Sequence, residues 1–330
     1  MAIYGNALAS RLPARRQSSA NLLFDTRFTG MSLGPANYTP PANYQNWHQQ
    51  FTDSICSITG SDIVNDIKTM WGSNTIIDIL SIPQSPVTDP AVFATYYSSN
   101  LASDCLSLEI NKADGTKPDF SIVPQTMLQV VRTPAQASLN DVDELCVSTV
   151  FKLPAGLDLG GNPAAGKYLT LFELKEGGYL GQAGVGALRI EVMINRALSG
   201  DAYNQWYVLV DDNANGVGII PGLDVSEIYY SRRSGIAAQL DVKTRLYVYW
   251  KRSAGRLVVA IQVEGQNIQV LADVYPQDLA PKLSGKLIGL FGYPWCRFEL
   301  CMMYQTAYYP SSVKFYEMQF WNKLPIPIPS

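Results

Sequence analysis

The chain has 330 residues, 47% of them apolar and only 16% charged, with a formal net charge of −3. That composition supplies a sizeable core and excludes global disorder, and the negative balance argues against broad nucleic-acid binding, which needs positive charge to displace counterions. Length alone permits one large β-sandwich or two small domains.

Residues 1–20 form a polar arm with Arg11, Arg15 and Arg16, no acidic residue and no periodicity. Two readings are open: a flexible leader, or an arm that docks on a neighbouring subunit. No continuous apolar stretch follows a basic start, so no secretory signal is expected, and no run of about 18 apolar residues predicts a membrane span. NLLFDTRF (21–28) reads as a strand, followed by a Pro/Asn/Tyr-rich loop from Gly30 to Asn46.

Residues 29–144 are predicted to be an irregular elaboration of the domain. Ile63, Ile67 and Met70 have helical spacing within Ser61–Trp71, and TIIDILSI and CLSLEINK read as strands with Pro83, Pro86 and Pro90 between them. From 145 the chain becomes a series of strands: LCVSTVFKL, KYLTLFELK, ALRIEVMIN, QWYVLVDD, TRLYVYWKR, RLVVAIQVE, KLIGLFGY and VKFYEMQFWNK. Turns such as Gly160-Gly161 and Gly177-Gly178 separate them. Many strands with short turns and little helix predict one sandwich or jelly roll over 21–330, with its main strands in 145–325. Pro325, Pro327 and Pro329 end the sheet, since proline donates nothing to a ladder.

Within this series, Leu188, Ile190, Val192 and Ile194 alternate with Arg189, Glu191 and Met193. A period of two puts aliphatic groups on one face and an Arg/Glu pair on the other. Glu173 with Lys175, and Trp206 with Asp211, extend that second face into a charged, aromatic surface suited to an elongated polar ligand such as a glycan. Arg189 is placed to bind a sugar carboxylate and Glu191 to hold hydroxyls; the alternative is a cross-strand ion pair with Glu173 or Lys175 on a solvated face. Glu173 and Glu191 are also the two carboxylates a glycosidase would need, though no acidic motif supports that chemistry. Tyr247 and Tyr249 share a face with Arg245 and Lys251 and form a candidate stacking platform, while Tyr304, Tyr308 and Tyr309 suit subunit packing as well as ligand. IYYSRRSG reads as a loop-like segment bearing Tyr229, Tyr230, Arg232 and Arg233, either a contact loop or the seat of a tyrosine acid/base.

Cys56, Cys105, Cys146, Cys296 and Cys301 are odd in number and form no CxxC, and the single His48 leaves no metal-ligand cluster. Neither metal nor cofactor is expected. Buried free thiols are expected, with a Cys296–Cys301 pair across a turn left open.

The run FKLP, GKYLTLFELK, GALRIEVMI, WYVLVDDNANG and VYWKRSAGRLVVAIQVEGQ resembles the heparin-lyase-like branch of the concanavalin A-like jelly rolls. The resemblance covers about 145–325 plus 21–28. It implies that the terminal strand VKFYEMQFWNKLP pairs with NLLFDTRF. It also implies a choice among a polysaccharide lyase, a glycan-binding module and a structural protein of a tailed bacteriophage. Lyases of this type use Tyr or His with Arg, Gln or Asn, and the absence of histidine after position 48 is taken to remove a histidine-dependent site from the main sheet. The leading expectation is a non-enzymatic structural or glycan-recognition protein of a tailed-phage virion (tail, fibre or head decoration), made in the host cytoplasm. Its expected partners are other subunits or itself, and a bacterial surface polysaccharide. The alternative is a lyase cleaving an acidic glycan by β-elimination, with Tyr229 or Tyr230 as catalyst.

Overall fold

A computed structural model describes residues 20–28, 32–36, 47–53, 76–82, 97–110, 125–132, 144–157, 168–176, 188–195, 204–212, 228–251, 254, 256–275, 296–303 and 311–328. These residues hold seventeen strands. The first seven are β1 (Leu22–Thr26), β2 (Ser32–Ala36), β3 (Trp47–Asp53), β4 (Ile76–Ile82), β5 (Tyr97–Leu101), β6 (Leu106–Ile110) and β7 (Gln125–Arg132). Then come β8 (Glu144–Lys152), β9 (Tyr168–Glu176), β10 (Leu188–Asn195), β11 (Gln205–Asp212) and β12 (Ile228–Ala237). The last five are β13 (Lys243–Lys251), β14 (Arg256–Val263), β15 (Gln269–Val274), β16 (Cys296–Met303) and β17 (Ser311–Trp321).

The strands form two antiparallel sheets. One runs β15-β14-β13-β8-β17-β6-β5, with β1 also paired to β17; the other runs β12-β11-β10-β9-β16-β7-β4-β3-β2. The fold is all-β, as expected, and the first strand joins the last: Leu22 lies opposite Trp321 and Asp25 opposite Gln319. Among the described residues no helix is long and apolar enough to cross a membrane.

The core lies between the sheets and follows from alternation. Leu246, Val248 and Trp250 of β13 pair across to Thr149, Val147 and Leu145 of β8, and all are buried. From the other sheet, Ile190, Val192 and Ile194 pair with Val210, Val208 and Trp206. The layers meet where Phe151 sets its ring edge-on to Trp206, with centroids 6.0 Å apart. Trp206 is therefore a core residue. Its register to Ile194, against Asp211 to Arg189, puts Trp206 and Asp211 on opposite faces of the sheet rather than together on the charged one.

Between 29 and 144 the described residues supply six strands, β2 to β7, shared between the two sheets. Only β4 and β6 were visible as periodic runs. The sequence also hid β16, where Phe298 and Leu300 alternate with Arg297 and Glu299. This strand separates Cys296 from Cys301 by five residues of extended chain, roughly 17 Å, so the two cannot join in a disulfide. Cys105 and Cys146 are buried and take part in no disulfide. The segment IYYSRRSG is the body of edge strand β12, not a loop. The predicted helix at Ser61–Trp71, the strand KLIGLFGY, the arm 1–19 and Tyr304, Tyr308 and Tyr309 lie outside the described residues.

Candidate functional site

Three sequence runs, LFELK on β9, LRIEV on β10 and CRFEL on β16, repeat one pattern of a charged residue, an apolar residue and a second charged residue. Because β9 is antiparallel to both neighbours, its Glu-x-Lys order meets their Arg-x-Glu order in phase. Glu299, Glu173 and Glu191 occupy one cross-strand row, and Arg297, Lys175 and Arg189 the next. The acidic row continues through Gln129 of β7 to Asp78 of β4. Sequence reading singled out Glu173, Lys175, Arg189 and Glu191. It missed Arg297 and Glu299, although the repeated Arg-x-Glu was the signal that finds them.

This polar face is not solvated around its centre. Glu173 is 0% and Glu191 1% exposed, and the Arg189 side chain only 11%. Arg189 Nη1 donates to Glu173 Oε1 at 3.4 Å and lies 3.4 Å from Glu191 Oε2. Between β9 and β10 the register slips by one at Val192/Met193 and leaves Leu171 as the extra residue. That bulge turns Thr170 onto the polar face beside Met193, and its Oγ1 donates to Glu191 Oε1.

Simple electrostatics shows why the arginine sits there. Two carboxylates at a cross-strand spacing of about 5 Å repel by about 3 kcal/mol at an effective dielectric near 20. A guanidinium at about 3.4 Å from each returns about 5 kcal/mol per pair on the same scale. Attraction wins. The cross-strand ion pair anticipated from sequence exists, but in a buried setting instead of a solvated one.

Toward the β12 edge the face opens. Tyr207 lies opposite Met193 and Arg233, and Ser231 lies opposite Leu209. The Tyr207 hydroxyl shares a hydrogen bond with Ser231 Oγ, and Arg233 Nη2 donates to Asn195 Oδ1 at 3.4 Å. Ser231 is exposed, while Tyr207 and Arg233 are half-buried. The pleat splits the residues that sequence reading grouped. Arg233 falls on the polar face; Arg232 and Tyr230 pair with Val208 and Val210 and so belong to the opposite face, where Arg232 is exposed at the sheet rim. Tyr229 is the unpaired residue of a second bulge.

Tyr247 and Tyr249 lie on the other sheet and are not brought to this face. Each is 6% exposed, packed with Cys146, Val258 and Ala260 beneath Leu324, Ile326 and Ile328. Their rings are covered, which leaves no open stacking surface. Burial raises the pKa of both phenols, and the Glu144 carboxylate beside Tyr249 pushes in the same direction. On that sheet Arg245 Nη1 donates to Glu317 Oε1 and, at 3.0 Å, to Gln319 Oε1; Arg27 pairs with the second Glu317 oxygen.

His48 needs a correction. It sits on β3, within the nine-stranded sheet, two residues from Gln50, which pairs with Asp78 of the acidic row. The main sheet therefore does carry the chain's histidine. Five strand spacings separate β3 from β10, roughly 24 Å, so His48 is remote from Arg189.

No family model matches the chain, and no curated protein matches it. Among solved structures it is similar to an endo-1,3-beta-glucanase from Streptomyces sioyaensis (13% identity, 92% of this chain and 96% of that one, TM-score 0.43). It is also similar to the exoplasmic/lumenal domain of VIP36 in a Ca2+/Man3GlcNAc-bound form (14%, 71% and 84%, TM-score 0.36). A third is the CBM2 module of the evolved Dit of Lactobacillus casei BL23 phage J-1 (10%, 94% and 98%, TM-score 0.38). All three TM-scores lie below 0.5.

Proposed function

We propose that the chain is a non-enzymatic structural or glycan-recognition protein, a subunit of a tailed-bacteriophage particle made in the host cytoplasm. One observation carries the non-enzymatic part. The carboxylates best placed for acid/base work, Glu173 and Glu191, are enclosed and held by Arg189 and Thr170. A glycosidase needs both carboxyls against the sugar and room for water, and an enclosed pair offers neither. The accessible end of the same face, Tyr207, Ser231 and Arg233, presents a phenol, a hydroxyl and a guanidinium, which match sugar rings, hydroxyls and carboxylates. The particle role is supported by the family resemblance and by the basic arm, whose ordering needs a neighbouring surface.

Affinity electrophoresis against acidic bacterial surface polysaccharides tests recognition. Retardation is expected with the intact chain and is expected to weaken with Tyr207→Ala or Arg233→Ala. Equal mobility of all three proteins in every polymer would sink the assignment of this face.

A lyase is the second reading, and a specific observation keeps it in view. Tyr207, unlike Tyr230, lies on the polar face with Arg233 directly across the strand pair. Release of unsaturated sugar ends that stops on Tyr207→Phe, a change that removes only the hydroxyl, would establish it.

A further inference from the structure

The last described residues do not trail away from the fold. After β17 the chain runs back over the eight-stranded sheet on the face turned away from the core. There Trp321, Leu324, Ile326 and Ile328 pack against Cys146, Tyr247, Tyr249, Val258 and Ala260. Leu324, Ile326 and Ile328 alternate with Pro325 and Pro327, so an extended segment directs its aliphatic groups to one side. The two prolines have no N–H, and this stretch cannot knit into a continuous ladder. Side-chain burial is what seats it. At its root, Asn322 N donates to Asn21 O at 3.0 Å and Asn21 N donates to Asn322 Oδ1 at 2.7 Å. The C-terminal strap and the N-terminal arm thus leave the body from one clasp.

Without the strap, two tyrosines, a thiol, a valine and an alanine on one sheet face would meet water together, a contiguous apolar strip of the kind that marks an interaction surface. The strap shows which chemistry fits the strip: an extended segment with aliphatic residues at every second position, separated by prolines. The strap's own outward side is apolar, with Pro325 half-exposed and Pro327 exposed, and Lys323 is the strap's single charged residue.

We propose that this strip is an exchange site, on which segment 323–328 of one copy of the chain seats on the outer face of another copy. The inference rests on the proposal that the chain works as an assembled subunit. Exchange of an identical element keeps every strap contact and changes only the path of the chain just past the clasp. Pro325 and Pro327 favour this use because the strap can lift without breaking a sheet ladder.

Photo-cross-linking of the full chain tests the idea, with p-benzoylphenylalanine in place of Ile326, or of Leu324 should the first variant fold poorly. Irradiation is expected to yield linked dimers on a denaturing gel, with the link mapped to peptides containing Cys146, Tyr247 or Ala260. Links to those peptides only within single chains would overturn exchange, as would dimers linked elsewhere. Solution mass separates the two levels: an assembly with only intrachain links sinks the exchange alone, whereas a monomer sinks the assembled-subunit proposal as well. Truncation after Lys323 gives an independent readout. Exposure of Cys146 is expected to raise its labelling by a thiol reagent at least about tenfold, since buried structural thiols are inert. Unchanged labelling would show that the strap does not cover the strip.

Discussion

Glu173 and Glu191 stand directly opposite each other on neighbouring strands, both buried, and Arg189 bridges them from the β10 side. Like charges in this position destabilise a sheet unless something intervenes. Arg189→Ala leaves two enclosed carboxylates without their shared cation and is expected to cost about 3–5 kcal/mol, read from urea unfolding. A loss below about 1 kcal/mol, the range of exposed pairs, would mean that the face is solvated after all.

A graded pair of variants tests the ion network on the other sheet. Glu317 is enclosed between Arg27 and Arg245, whose side chains are 50% and 25% exposed. Arg245 also donates to Gln319 and Ser148. Arg27→Ala is expected to cost about 1 kcal/mol or less, as surface pairs do. Arg245→Ala should cost clearly more, because it removes the network's centre. Equal losses would contradict this ranking.

Trp206 provides a third test, separating core from ligand surface. It is buried against Phe151 where the two sheets meet. Trp206→Ala is expected to lose about 3–5 kcal/mol, the usual cost of deleting a large aromatic from a core. Stability unchanged in thermal unfolding, together with lost glycan retention, would return Trp206 to the surface role first expected of it.

Stability should also fall in alkali, with an identifiable cause. Burial raises the Cys146 thiol above its ordinary 9.0, and Tyr249 above 10.0 by burial and by Glu144. A group whose pKa is raised on folding contributes its full share below the unfolded value and loses it as pH climbs toward the folded one. The unfolding midpoint is therefore expected to hold up to about pH 9 and then decline. Tyr249→Phe should flatten that decline, and an identical decline in the variant would remove Tyr249 as a contributor.

The sandwich was legible in the sequence because β8, β10, β11, β13, β14 and β17 alternate cleanly and end in turn residues. The pairing of β1 with β17, with Asp25 opposite Gln319, came from the family resemblance rather than from any local pattern. Strands β2, β3, β5 and β7 escaped notice: SLGPA, WHQQFTD, YSSNL and QTMLQVVR are polar or interrupted, and their sheet positions come from non-local pairing. The candidate site was half legible. Arg189 and Glu191 could be read from one strand, but three facts depend on register and on what covers a face: the Glu299–Glu173–Glu191 row, the enclosure of Glu173 and Glu191, and the covering of Tyr247 by a distant C-terminal segment. A period of two says that two faces differ. It does not say which of them meets water.

Recognition of an acidic glycan without cleavage is tested most directly by size-exclusion chromatography of such polysaccharides after prolonged incubation with the chain. Co-elution of the protein with at least one polymer of undiminished length is the expected result. Shortening of a polymer, with unsaturated ends appearing as it shortens, would contradict the non-enzymatic proposal, and separate elution from every polymer would contradict recognition.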